Sequence, residues 1–243
     1  MSRSRERPRW RRRLLRVALS LFGLLVALAA ASFGYELSLP GVGDAPAKVA
    51  AIVHSHHGRL ATLPLPKKLA KAIVAVEDEH FYSNVFVNVF DGAARAAVAS
   101  VERGGDPGGS TIAQQLAKQL YPHGPGLAGT LEEIALGVKL SLVFSKPKIL
   151  EMYLNAIYFG NGYWGVVQAA RGYFGVSPSQ LNWAEASMLA GLPQAPSAYD
   201  PVHHLRLAKE RQHHVLDQLV DNHMLTKARA RAAYRARLPL LAT

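Results

Sequence analysis

Three acidic residues in a row, Glu77, Asp78 and Glu79, close the apolar stretch AIVAV and stand directly before His80, Phe81 and Tyr82. A carboxylate beside a buried face is costly to desolvate unless it has a partner or a task, so the triplet is a candidate for acid–base chemistry. A hydrated helix end accounts for the same residues equally well. A second acidic pair, Glu132 and Glu133, lies inside a helical run expected to reach Lys146. Between the two acidic sites stands Gly108-Gly109-Ser110-Thr111-Ile112-Ala113-Gln114-Gln115-Leu116-Ala117-Lys118. Its glycines permit close backbone approach, and Ser110 or Thr111 can cap the helix that follows. Backbone N–H groups, hydroxyls and Lys118 would then surround a place suited to an anion such as phosphate. Glycines before a capped helix are also common where nothing binds. The segment is not a Walker loop, because no lysine precedes the Ser-Thr pair. A last cluster runs from Ile149 to Asn155 and on through Tyr158-Phe159-Gly160-Asn161-Gly162-Tyr163-Trp164-Gly165. Its aromatic and glycine content suits a sugar groove, or a plain core.

These residues need elements to position them, and the chain reads as a succession of helices. Leu69, Ile73 and Val76 recur at three- and four-residue spacing and lead into Glu77. Ile112, Leu116, Gln119 and Leu120 follow the Gly-Gly turn, and Ile134, Val138, Val143 and Ile149 belong to the next run. Ala184 to Leu192 and Ala208 to Leu225 complete the set. Alternating strand patterns are scarce, so the class is mainly α, with Gly-rich loops expected at 104–109, 124–129 and 160–165. The sequence has no internal repeat. His54-Ser55-His56-His57-Gly58 is read as a solvated loop, since three histidines so close together cannot all face one ion in regular structure.

The rest of the chain restricts where such a domain works. After Arg16 the next charged residue is Glu36, so Val17 to Tyr35 is an uncharged run of nineteen residues. As a helix it would reach about 28 Å, close to the thickness of a bilayer core. Eight arginines precede it within residues 1–16, which predicts a cytoplasmic tail and export of everything after Tyr35. A cleaved signal peptide is the alternative, with Ala29 to Ser32 as its cleavage site, but the run exceeds the usual apolar core of a signal. Residues 36–62 are read as a juxtamembrane linker, 63–225 as the folded domain and 226–243 as a basic C-terminal extension. The net charge of +11 resides at the two ends and leaves residues 17–202 near neutrality, which argues against nucleic acid as a partner. The chain has no cysteine, which excludes a thiol nucleophile and Cys-ligated metal.

The order of these motifs carries a resemblance. EDEHFY at 77–82, GGSTIAQQLAKQ at 108–119, the acidic helix at 132–133, SKPKILEMYLNAIYFGNGYWGV at 145–166, AARGYFG at 169–175 and AEASMLAGLPQAPSAYDP at 184–201 resemble the peptidoglycan glycosyltransferases of family 51. These are monofunctional membrane enzymes whose domain also forms the N-terminal half of class A penicillin-binding proteins. The resemblance covers residues 63–225, and a penicillin-binding half is not expected. It implies a lysozyme-like helical domain with a smaller membrane-proximal lobe, preceded by one transmembrane helix. The implied substrates are lipid II and the growing glycan strand, each on a lipid pyrophosphate, joined through a β-1,4 bond with inversion. The implied location is the cytoplasmic membrane of a bacterium, with the catalytic domain on the outer, periplasmic side. Membrane lipids and other cell-wall synthesis proteins are the further partners.

By the match, Glu77 would be the general base for the acceptor hydroxyl and Glu133 would assist departure of the pyrophosphate. Gly109, Ser110, Thr111, Gln114, Gln115 and Lys118 match positions that hold donor sugar and phosphates, and Asp78, Phe81 and Asn155 join them as expected substrate contacts. The resemblance requires no cofactor, leaves room for a divalent cation (Mg or Mn) at the pyrophosphate, and leaves any metal ligands unknown. The resemblance is to a divergent member. Asn84 and Phe86 stand where the pattern has His and Gly, and Gly129 and Thr130 replace an Arg-Lys pair ahead of the second glutamate. Ser141 replaces a glutamate and Val176 a lysine, leaving Lys118, Lys139 and Arg171 to compensate for lost cations. A scaffold that binds lipid II without catalysis is the main alternative, and a lytic transglycosylase or muramidase the lesser one.

Overall fold

The computed structural model describes residues 38–82 and 110–241, together with Ser20, Gly23 and Gly34. The expected transmembrane run at 17–35, the loop at 104–109 and Gly109 lie outside the described residues. Residues from Gly41 onward form one compact unit, separate from that of Met1–Pro40. Among the described residues no helix is long and apolar enough to cross a membrane.

Nine α-helices follow one another in the described part. The first, α1 (Ala45–Ser55), corrects the sequence reading, which placed these residues in a linker. Pro46 is tolerated in its first turn, where N–H groups lack intrahelical partners, and Val49 and Val53 bury one face. Its C-terminal end includes His54 and Ser55, and His56 beyond it stacks flat on Trp164 at 4.4 Å. The three histidines are exposed, as expected, but His54 belongs to the helix and only His56 and His57 to the turn after it.

At the centre is α2 (Lys67–Glu77), whose Leu69, Ala72 and Ile73 are fully buried. It packs against α7 (Trp183–Gly191) and α8 (Leu205–Asp221), which also pack on each other. Asn182 starts α7 with a capping box closed by Glu185, satisfying two backbone donors at once. A second group is built on α3 (Ile112–Leu120), which packs on α4 (Gly126–Val143) and α5 (Lys146–Ala156). The long run expected through Ile149 divides at Phe144 and Ser145, because Pro147 belongs in a first turn and not in a helix interior. The loop expected at 124–129 is likewise shorter, since α4 begins at Gly126.

From α5 the chain turns through an isolated bridge between Tyr158 and Trp164, the one extended pairing among the described residues. It then enters α6 (Gly165–Phe174), which ends at Gly175 with a left-handed φ of 70°. The basic C-terminal stretch forms α9 (Lys227–Arg235), packed on α8 through Ala230 and Ala233. Leu241 N–H then donates to the Tyr173 carbonyl at 2.9 Å, so the extension belongs to the folded unit.

Candidate active site

Glu77 ends α2, and the chain leaves the helix at once, so its carboxylate is delivered to the junction of the two helix groups. A cavity of about 550 Å³ opens there, and Glu77 and Glu133 both line it. Ser110, Gln115 and Lys118 share its wall, with Arg211 and His214 of α8 opposite in the sequence. The two acids expected to carry the chemistry thus face one space.

The surroundings of Glu77 define its state. Tyr153 O–H donates to Gln115 Oε1 at 2.8 Å, and Gln115 Nε2 donates to Glu77 Oε2 at 2.9 Å. A tyrosine hydroxyl facing the amide oxygen fixes the amide orientation, so the NH2 group must point at the carboxylate. Burial, and then the nearby charge of Glu77, push the Tyr153 hydroxyl well above its ordinary pKa, so it stays a donor at any physiological pH. The Arg211 guanidinium lies 3.8 Å from Glu77 Oε1, with both side chains nearly buried. Burial lowers the Arg211 pKa, and the charge of Glu77 opposes that shift. A donor on one side and a cation on the other both match an ionised carboxylate, the form that can accept a proton.

Arg211 reaches this position because α7 has no side chain at Gly191. A Cβ there would lie 2.8 Å from Arg211 Cγ, and Arg211 Nε donates to the Gly191 carbonyl at 3.3 Å. Glu133, projecting from α4, is held at Oε1 by His123 Nε2 at 2.9 Å. Among the described residues no three His, Asp or Glu side chains converge.

Several expected substrate contacts have other work. Asp78 is buried and its Oδ2 accepts from Ile112 N at 3.2 Å, anchoring the start of α3. Phe81 is fully buried beneath the Lys146 ammonium, 5.0 Å from its ring. Thr111 and Gln114 form the capping box of α3. Asn155 is 1% exposed, and its amide exchanges hydrogen bonds with the backbone of Ala61 and also donates to Glu151 O. None of these four polar groups, nor Phe81, lines the cavity; they hold the walls that do. Of the proposed compensating cations, Lys118 lines the cavity, whereas Lys139 and Arg171 do not.

Comparison with known proteins shows the family. A family profile described as transglycosylase matches residues 47–220. The chain belongs to the transglycosylase family. Membership makes it a glycosyltransferase at the level of its family. It is similar to penicillin-binding protein 1A of Neisseria flavescens, with 42% identity over 163 residues, covering 66% of this chain and 20% of that protein. A candidate transglycosylase of Cupriavidus necator is 40% identical over 158 residues, covering 65% of this chain and 68% of the relative. A crystal structure of penicillin-binding protein 1A from Haemophilus influenzae aligns with a TM-score of 0.46 and 24% identity, over 76% of this chain and 18% of that one. The chain thus spans about a fifth of the length of the penicillin-binding relatives it matches.

Proposed function

We propose that this transglycosylase polymerises lipid II into β-1,4 glycan strands with inversion, releasing undecaprenyl pyrophosphate. The carrying observation is that Glu77 and Glu133 open into one cavity whose wall also bears Lys118 and Arg211. Cations beside paired acids suit a substrate with an anionic leaving group, which hydrolysis of a glycan strand does not involve. Glu77 would take the proton of the acceptor hydroxyl as that oxygen attacks the donor sugar. Inversion in one displacement needs a base on the face opposite the departing group. Lys118 and Ser110 would hold the pyrophosphate, and Glu133 would assist its departure. The N-terminal run at 17–35 would anchor the chain in the bacterial cytoplasmic membrane, with this domain outside, where lipid-linked substrate is presented.

The decisive variant is Glu77→Gln, which keeps size and hydrogen bonding but cannot accept a proton. Polymer formation from purified lipid II should fall by about 100- to 10,000-fold, with lipid II binding close to wild type. Near-normal polymer yield from this variant would remove Glu77 from the base role.

A further inference from the structure

Gly129 occupies a place where no side chain fits. A Cβ there would lie 1.7 Å from the Gly124 carbonyl oxygen and 3.0 Å from His123 Nδ1. The bare first turn of α4 lets the segment between α3 and α4 fold flat against the helix. That segment carries His123 to the second acid, with Nε2 at 2.9 Å from Glu133 Oε1. The two side chains are only 20% and 16% exposed, so the contact is shielded from bulk water. An ionised carboxylate oxygen only accepts, so toward that form of Glu133 the Nε2 of His123 is the donor, while Nδ1 lies 3.2 Å from the Gly124 carbonyl oxygen. Glu133 meets the cavity itself, and His123 stands behind it, outside the cavity wall.

We infer that His123 is a positioning residue for Glu133, and that Gly129 is the sequence change that admits it. The chain orients its second carboxylate from a loop, at the place where the family pattern has cationic side chains on the helix. This rests on the reading of Glu133 as the group that assists departure of the pyrophosphate. A hydrogen bond to a charged group fixes the carboxylate rotamer, and a displacement of about 1 Å in a reacting group costs up to about 100-fold in rate. Ground-state binding through Lys118 and Ser110 does not depend on it.

The test compares His123→Ala, His123→Gln and Gly129→Ala in the full chain, with lipid II polymerisation resolved into kcat and KM. His123→Ala and Gly129→Ala should lower kcat about 10- to 100-fold with KM within twofold, while His123→Gln, which keeps a donor, should recover most of the loss. Wild-type kcat in His123→Ala overturns the inference. So does a loss that His123→Gln fails to relieve although circular dichroism shows the wild-type fold. A wild-type chain that forms no polymer overturns the proposed function instead. In that event the 15N shifts of the His123 ring decide the contact by themselves: they should change in Glu133→Gln, and identical shifts overturn it.

Discussion

The base candidate ends a relay of three side chains from three different elements. Tyr153 fixes Gln115, and Gln115 fixes one oxygen of Glu77. Removing the first member tests the relay without touching the carboxylate. Tyr153→Phe leaves the Gln115 oxygen without its donor in a buried place, which costs about 1–3 kcal/mol. For a domain of this size that is a fall of about 2–4 °C in Tm per kcal/mol. The freed amide can then turn its oxygen toward Glu77, so polymerisation should drop by more than the stability loss explains. A Tyr153→Phe protein with normal turnover below its melting range would show that the relay only packs the core. Residue type alone left Glu77 open between chemistry and a hydrated helix end, and it was motif order that singled out Glu77 and Glu133, which the structure places on one cavity. Arg211 was not singled out, since no motif of the sequence contains it. A signal was present: Ala208, Gln212, Val215 and Leu216 mark the buried stripe of α8, and Arg211 falls at helical spacing from Ala208 and Val215.

At the scale of elements, the helices that carry the site followed from periodicity, and those without a clear pattern did not. α2, α3 and α7 were expected within a residue or two of where they lie. α1 was missed because Pro and Gly immediately precede its apolar face, and α6 begins at Gly165, where the aromatic cluster ends, and was not read as a helix. The residues proposed as substrate contacts from motif position alone divide for a physical reason. Polar side chains at a helix start are as useful for capping as for ligands, and Thr111, Gln114 and Asp78 all serve the start of α3. Close helix approach is likewise invisible until α7 and α8 are seen together at Gly191. Gly191→Ala should therefore displace Arg211 more than it disturbs the fold. Overpacking costs about 1–3 kcal/mol, part of which the long arginine side chain absorbs by moving. The expected result is a folded protein with a Tm lower by a few degrees and a polymerisation rate reduced at least about tenfold. Equal rates in the variant and the wild type would mean that the Arg211–Glu77 pair contributes nothing to turnover.

For the whole molecule, the positive charge toward the C-terminal end resolves into separate parts. Arg211 is nearly buried at the cavity, and Arg206 is paired with Glu210. Lys227, Arg229, Arg231, Arg235 and Arg237 remain exposed along and just beyond α9, with no acidic residue among them. Ala230 and Ala233 are the buried positions of that helix. A solvated face explains this pattern, and so does a surface that rests on anionic lipid head groups beside which a lipid-linked substrate would lie. Each cation near such a surface contributes about 1 kcal/mol, so four together would change vesicle binding by a factor well above ten. Screening acts over about 8 Å at physiological salt, so the effect must weaken as salt rises. The compact unit from Gly41 to Thr243 allows the measurement without the N-terminal run. That fragment should bind vesicles containing anionic lipid at low salt and release them at high salt. Replacing Arg229, Arg231, Arg235 and Arg237 with Gln should weaken the low-salt binding at least about tenfold and flatten the salt dependence. If both forms bind equally at every salt concentration, α9 is a solvated face.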